Sequence, residues 1–192
     1  MIRSLNRYRK DNRGVAAIEI AFIMPFLLFL YFGLIDLTAM ISLNRKVTYS
    51  ASVVADLVTQ NANTVPAANV KSENIDDYFK AAALVMKPTP MTDVRVEIYA
   101  FRKVNGTPKN VWSKASSGGT GCGTPPTTGM ANLMTDNNDI IVGVVCTTYS
   151  PYIATFLGKS VLGATSFTMN EQIALRPRQS PAINCTTCTR VN

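Results

Sequence analysis

The sequence predicts an α+β protein in which a long membrane-spanning helix at the amino end packs on a small antiparallel β-sheet domain. From Val15 to Ile35 the only charged residue is Glu19, and a helical apolar pattern continues from there to about Gln60. After residue 90 apolar and polar residues alternate, and short loops such as Asn105-Gly106 separate the alternating segments. Strands that follow each other through short loops pair antiparallel. The amphipathic part of the helix is therefore expected to cover the apolar face of the sheet.

The 192 residues divide into four predicted segments. These are a cytoplasmic leader (1–14), a transmembrane plus amphipathic helix (15–60), an outer α+β domain (61–176) and a polar tail (177–192). The formal charge is +7, and the leader supplies four of these positive charges. Positive charge beside a membrane span marks the cytoplasmic side, so the domain is expected outside the cytoplasm. The remaining charge is too dispersed to predict a nucleic-acid surface.

The apolar run is long enough to cross a membrane, since about 20 residues at 1.5 Å each span a hydrocarbon core of roughly 30 Å. A secretory signal would have a shorter apolar core followed by a small-x-small cleavage site. Here Asp36 to Met40 continue the helix instead, so we expect the segment to be retained. Pro25 predicts a kink, or is simply tolerated in a membrane helix. Glu19 costs about 2.5–3.5 kcal/mol inside such a run, unless its carboxylate reaches the cytoplasmic face.

Beyond residue 37 the helical pattern becomes amphipathic. Two sets of positions recur every seven residues and form one stripe: Met40, Val47 and Val54, and Asn44, Ala51 and Val58. The stripe could pack on the chain's own sheet or on neighbouring helices in an assembly, and the two interpretations can share it. Asn61 to Pro66 are typical of a turn and end the helix.

The segment after the turn predicts one helix and four strands. The helix is expected to begin at Asn74 as its cap, with an apolar face that includes Ile75 and Met86, and to end before Pro88. Alternating residues predict a half-buried strand over 94–101 and a returning strand around Val111 and Trp112. The apolar stretch 140–149 predicts the centre of the sheet, residues 151–157 a short helix or turn, and residues 166–175 a fourth strand.

Residue types that carry catalysis are scarce in this chain. There is no histidine, which excludes His-based metal sites and the commonest general base. No Gly-x-Ser-x-Gly nucleophile motif occurs. Asp136-Asn137-Asn138-Asp139 could hint at calcium, but the run lacks the spaced ligands and closing glutamate of an EF-hand and is typical of a turn. We therefore predict no enzymatic activity, no cofactor and no metal site.

The four cysteines, Cys122, Cys146, Cys185 and Cys188, all follow the membrane segment. Outside the cytoplasm disulfides persist, and four cysteines allow three pairings. We favour Cys122–Cys146 with Cys185–Cys188, because this pairing leaves no thiol over and ties a loop to a strand. Cys185-x-x-Cys188 could also indicate thioredoxin-like chemistry, but no βαβ pattern surrounds it.

The stretch from Arg13 to Leu28, continued by Phe32-Gly33-Leu34-Ile35-Asp36, resembles the opening of the TadE/TadF-like pseudopilins of tight-adherence pilus systems, a branch of the type IV pilus machinery. In this opening a basic residue and a glycine precede an apolar run with a glutamate five residues on, and a proline and a Gly-x-x-Asp/Glu step follow. The late strand ending in Tyr149-Ser150-Pro151-Tyr152 is also similar to the family. Ile20 departs from it, since Phe or Tyr usually follows the glutamate.

The resemblance implies a processing site. In the family a membrane aspartyl peptidase cuts on the cytoplasmic side after the glycine. Carried over, the cut falls between Gly14 and Val15, and Glu19 becomes the fifth residue of the mature chain. In related pilins this glutamate pairs with the free amino terminus of a neighbouring subunit, which implies that Glu19 is a subunit-packing charge.

The resemblance also implies a function. The chain would be a minor pseudopilin, anchored by a single span in the bacterial inner membrane with its domain in the periplasm. It would take part in assembly or priming of a tight-adherence pilus for surface attachment. Its partners would be the membrane, other pilins and pseudopilins, the prepilin peptidase and the assembly platform. The alternative is an uncut single-pass protein whose outer domain binds a ligand as an adhesin or sensor.

Overall fold

A long helix, α1 (Val15–Gln60), is the first element of the fold. The computed structural model describes residues 14–60, 68–70, 72–123, 125, 130–158, 165–178 and 180–190. The predicted leader, apart from Gly14, and the predicted turn at 61–66 lie outside these residues. The other elements, in chain order, are β1 (Ala68–Val70), α2 (Ser72–Met86), a 3-10 turn (Met91–Asp93), β2 (Val94–Val104), β3 (Thr107–Ala115), α3 (Met130–Leu133), β4 (Asp139–Tyr149), α4 (Tyr152–Leu157), β5 (Phe167–Leu175), β6 (Ile183–Cys185) and β7 (Thr189–Arg190).

The strands form one five-stranded sheet and one two-stranded sheet. The larger sheet has the order β5-β4-β2-β3-β7 with antiparallel neighbours throughout, whereas β1 and β6 pair in parallel. A long apolar helix followed by this antiparallel sheet confirms the predicted α+β class. β4 is an interior strand, as its apolar sequence predicts, although β2 occupies the middle position of the five.

The chain separates into two compact units. One contains Met1–Met40 and Pro151–Thr165, and the other contains Ile41–Ser150 and Ser166–Asn192. The described part of the first unit is the amino-terminal part of α1 together with α4. The second unit holds both sheets, α2 and the carboxyl-terminal part of α1.

In the second unit α1 packs on the sheet through its amphipathic stripe. Val47, Ala51, Val54 and Val58 are fully buried, so packing on the chain's own sheet explains this part of the stripe. The approach is close at Gly143 in β4, where an added methyl group would lie 2.9 Å from the carbonyl oxygen of Ala51. Glycine at this position therefore permits helix and strand backbones to meet.

Helix α2 covers more of the same core. Its buried face contains Ile75, Phe79, Ala82 and Met86, which are four of the apolar positions predicted from the 3.6-residue period. The helix begins at Ser72, two residues before the predicted cap at Asn74, and Glu73 is the acid in its first turn. A negative side chain there suits the helix dipole.

The opposite face of the sheet is covered in part, so the strand predicted as half-buried at 94–101 also buries Glu97 and Phe101 on its second face, while Arg95 and Tyr99 there stay partly exposed. A second apolar cluster joins strand residues to α3 and its flanking loop: Phe101, Met130, Met134, Ile140, Val142 and Val144. The Ser- and Gly-rich loop beyond β3 folds back over this face. At Gly118 an added methyl would lie 1.9 Å from the carbonyl oxygen of Met91, and Gly119 donates its N–H to Thr92 O at 2.7 Å.

The residues predicted as a polar tail instead complete the sheets through β6 and β7. Ile183 is fully buried, and the Trp112 indole donates a hydrogen bond of 2.7 Å to its carbonyl oxygen. Asp139, whose side chain is 0% exposed, accepts the N–H of Ile183 at 2.7 Å and two hydrogen bonds from Arg102, at 2.6 and 2.9 Å. The hydrogen bonding between Arg102 and Asp139 also raises the pKa of the Arg102 guanidinium. The segment is ordered by buried partners far away in sequence, which its polar composition does not indicate.

Candidate functional site

The amino-terminal part of α1 presents an apolar surface that the described residues leave mostly exposed. Among the described residues, α1 is the one helix long and apolar enough to cross a membrane, and none of its apolar 18-residue window is buried. Large apolar side chains such as Phe22 and Phe26 are 80% and 63% exposed. Because water would make such exposure costly, the helix indicates a single-pass membrane protein.

The predicted processing residues lie at the start of this helix. Gly14 is exposed, and a methyl group added to it would meet no described atom within 4 Å. Val15 is the first residue of α1 and is 51% exposed. Glu19 follows about one turn later, roughly 6 Å along the axis at 1.5 Å per residue. It is exposed, and no hydrogen bond or ion pair joins it to another residue in the part of the chain that the structure describes.

A second acid, Asp36, closes the apolar run and is only 7% exposed. Its carboxylate accepts two backbone hydrogen bonds from the first turn of α4: Tyr152 N donates to Oδ1 at 3.0 Å, and Ile153 N donates to Oδ2 at 2.8 Å. The first N–H groups of a helix have no intrahelical acceptor, and a carboxylate suits the positive end of the helix. Asp36 therefore holds α4 against the carboxyl-terminal end of the apolar segment.

This contact brings together two parts of the sequence that were noted separately. The Gly33-x-x-Asp36 step comes from α1, and Pro151-Tyr152 comes from the start of α4. Ile153 lies against the helix at Gly33. A methyl group added to that glycine would lie 3.6 Å from Ile153 Cδ1. Sequence reasoning found both motifs and missed their contact. A proline before a short apolar helix, and an acid that ends an apolar run, were the available signals.

The four predicted cysteines form the two disulfides that were favoured from the sequence. Cys122 joins Cys146 across 24 positions and fixes the Ser- and Gly-rich loop to β4. Cys185 joins Cys188 at the end of β6. Both cross-links lie at places where they restrain a loop.

A polar network lies between the sheet and the Ser- and Gly-rich loop. Arg95 Nε contacts Glu97 Oε1 at 3.0 Å, and the Tyr99 hydroxyl donates to Glu97 Oε2 at 2.7 Å. Burial, followed by the hydrogen bond to Glu97, raises the pKa of Tyr99 to about 12. Arg95 also donates to Ser116 O, so the network binds the loop to the strand. Within the described residues no group of three or more potential ligands could hold a metal ion.

A comparison with protein-family models decides how the amino-terminal segment is classified. The model described as TadE-like protein matches residues 14–56. We refer to residues 14–56 as the TadE-like segment because of this match. It begins at Gly14, includes Glu19 and Asp36, and ends in the part of α1 that packs on the sheet. The resemblance predicted from the sequence is thereby confirmed over this segment, which indicates involvement in a tight-adherence pilus system.

The rest of the chain is described by its own structure. No curated protein and no solved structure gave a significant match to the chain. Of the motifs that resemble the family, Gly14, Glu19 and the Gly33–Asp36 step lie inside the TadE-like segment, whereas Pro151-Tyr152 lies outside it. The contact between Asp36 and α4 therefore joins the TadE-like segment to a later part of the chain.

Proposed function

We propose that this chain is a minor pseudopilin that takes part in assembling or priming a tight-adherence pilus used for surface attachment. The observation that carries the proposal is the coincidence of the TadE-like segment with an exposed apolar helix that has one acid near its start. The role is structural: the apolar surface anchors the subunit and packs with other pilin helices, and the outer domain contacts other pilus components.

The proposal includes removal of the leader by a prepilin peptidase between Gly14 and Val15. The support is accessibility, because Gly14 is exposed at the very beginning of the helix and carries no side chain. A protease must bind the backbone in an accessible form, and glycine permits close approach. After the cut, Val15 carries a free ammonium group. Along the helix axis this group lies about one turn from Glu19.

Glu19 is proposed to receive the amino terminus of a neighbouring subunit. An acid at this depth is costly unless it is paired, and its own described chain offers it no partner. An ammonium group from an adjacent helix would neutralise the charge and fix the axial register of the two subunits. The partners are accordingly other pilins and pseudopilins, the prepilin peptidase and the assembly platform in the membrane.

The proposed location is the bacterial inner membrane, with the amino terminus in the cytoplasm and the domain in the periplasm. Four of the seven net positive charges lie in the first 14 residues, and positive charge stays on the cytoplasmic side of a span. The two disulfides lie after the span, in agreement with an oxidising compartment.

Intact-mass spectrometry of the full chain, expressed with and without the prepilin peptidase, tests the processing step. We expect loss of residues 1–14 only when the peptidase is present. A Gly14→Leu variant is the matched control and should keep its leader in both strains, because the bulky side chain blocks close approach. An identical uncut terminus in both strains would contradict processing and favour the alternative of an uncut adhesin or sensor.

Pilus recovery tests the proposed role of Glu19 separately. Glu19→Gln should still be cut but should reduce the amount of pilus and of surface attachment, because an amide cannot neutralise an ammonium group. Ile20→Phe changes the neighbouring residue without changing charge and should leave both unaffected. Equal pilus yield from Glu19→Gln and the unchanged protein would refute the packing role.

A further inference from the structure

We propose that α4 is a second membrane-contacting element, which lies in the lipid interface at the outer end of the span. The inference rests on membrane insertion of α1 and not on a role in a pilus. Its starting point is the pair of hydrogen bonds between Asp36 and the first turn of α4. They fix the height of α4 along the membrane helix.

The height follows from helix geometry. Asp36 is 21 residues after Val15, or about 32 Å along the axis at 1.5 Å per residue, and the hydrocarbon core is roughly 30 Å thick. When the cytoplasmic end of the apolar run lies at the inner boundary, Asp36 lies at the outer boundary. The N–H groups of Tyr152 and Ile153 are within 3.0 Å of its carboxylate oxygens, so the first turn of α4 lies at the same level.

The composition of this part of the chain suits lipid contact. No charged residue occurs between Asp139 and Lys159, so no ionised side chain has to be desolvated when α4 meets the membrane. Tyr152 is 73% exposed, and tyrosine is enriched at membrane interfaces, where its ring contacts apolar groups and its hydroxyl remains hydrated.

The contacts that attach α4 to α1 leave the Tyr152 side chain largely exposed. Ala154 is 1% exposed, and Ile153 lies against α1 at Gly33, so these residues make the protein contact. Tyr152 is thus exposed at the Asp36 contact, where the apolar segment of α1, which we take to be surrounded by lipid, comes to its end. The occupant that fits this surface is the headgroup and upper acyl-chain region of the outer leaflet.

The pair of hydrogen bonds also assigns a positioning role to Asp36. A carboxylate with two oxygens can accept both N–H groups at once, and such charge-assisted hydrogen bonds are stronger than neutral ones. At the edge of a low-dielectric region the two donors compensate the acid, and the acid in turn prevents α4 from leaving the interface.

Quenching by brominated lipids tests the proposal in the full-length protein reconstituted into phosphatidylcholine vesicles. Tyr152→Trp places a reporter on α4, and Phe26→Trp places one in the middle of the span. The unchanged protein, whose sole tryptophan is Trp112, gives the background. We expect at least twofold stronger quenching of Trp introduced at 152 by 6,7-dibromo than by 11,12-dibromo lipid, and the reverse order at 26.

Each outcome is decisive. No quenching above background at 152, with normal quenching at 26, overturns the inference and leaves the proposed function intact. Stronger quenching at 152 by the deeper bromines overturns the interfacial position. Absence of quenching at 26 shows that α1 is not inserted, which overturns both this inference and the membrane anchor of the proposed function.

Discussion

Replacing Asp139 by alanine is expected to destabilise the outer domain by about 3 kcal/mol. The Asp139 side chain is 0% exposed and accepts three hydrogen bonds, two from Arg102 and one from Ile183 N. Removing one partner of a buried ion pair costs about 3–5 kcal/mol, because the other charge stays buried and unpaired. Arg102 is 25% exposed and can recover some hydration, which places the expected value at the lower end.

Urea unfolding of the full-length protein in detergent micelles measures this loss. Trp112 reports on it directly, because its indole donates to Ile183 O and it is the sole tryptophan. Asp136→Ala is the matched control: Asp136 is 70% exposed and lies 3.9 Å from Lys103, so its loss should cost less than about 1 kcal/mol. If both variants unfold at the same urea concentration, the buried bridge does not hold the carboxyl-terminal strands.

Three further changes test other parts of the fold by the same unfolding measurement. Gly143→Ala should cost about 1–3 kcal/mol, because the methyl would lie 2.9 Å from a backbone oxygen of α1. Gly121→Ala is the control and should be neutral, because the nearest atom to its methyl is 3.9 Å away. Equal effects would contradict the close helix–strand contact. Replacing Cys122 and Cys146 together by alanine should cost about 3 kcal/mol, since the cross-link spans 24 positions, and no loss would mean that the loop is held without it. The pKa of Tyr99, about 12 in the folded chain, exceeds the ordinary value of about 10, so its contribution to stability is complete below pH 10 and disappears as pH rises through 12. Tyr99→Phe should abolish that part of the pH dependence, and an unchanged profile would refute the assignment.

Periodicity predicted the elements that bury a continuous apolar face. The 3.6-residue period placed the buried stripe of α1 and the face of α2, and alternation placed the strand at 94–101, because burial itself imposes these periods. The Asn105-Gly106 turn indicated the returning strand, and a continuous apolar stretch indicated β4. Helix α2 begins at Ser72, two residues before the predicted cap at Asn74. Several residues here suit a helix amino terminus, namely Ser72, Asn74 and the acids between and after them. Local chemistry there offers several equivalent starts, and the tertiary fold selects one.

The carboxyl-terminal strands could not be predicted in this way. β6 has three residues and β7 has two, so neither is long enough to display a period. Their order comes from distant partners: Asp139 is 44 positions before Ile183, and Trp112 is 71 positions before it. The carboxyl-terminal segment was predicted only as a polar tail. It acquires structure because the domain supplies buried hydrogen-bond donors and acceptors for its backbone.

The two acids of the TadE-like segment, Glu19 and Asp36, also show that a sequence does not reveal contacts between distant residues. Both are costly beside lipid, and the resemblance seen in the sequence implied a partner for Glu19 but none for Asp36. The fold separates them: Asp36 receives two N–H groups from α4, 116 and 117 positions later, whereas Glu19 has no partner among the described residues. A charge that is compensated within its own chain is not free to select a neighbour. Within the described residues Glu19 lacks such compensation, and a second subunit is the proposed source of the ammonium group that would neutralise it.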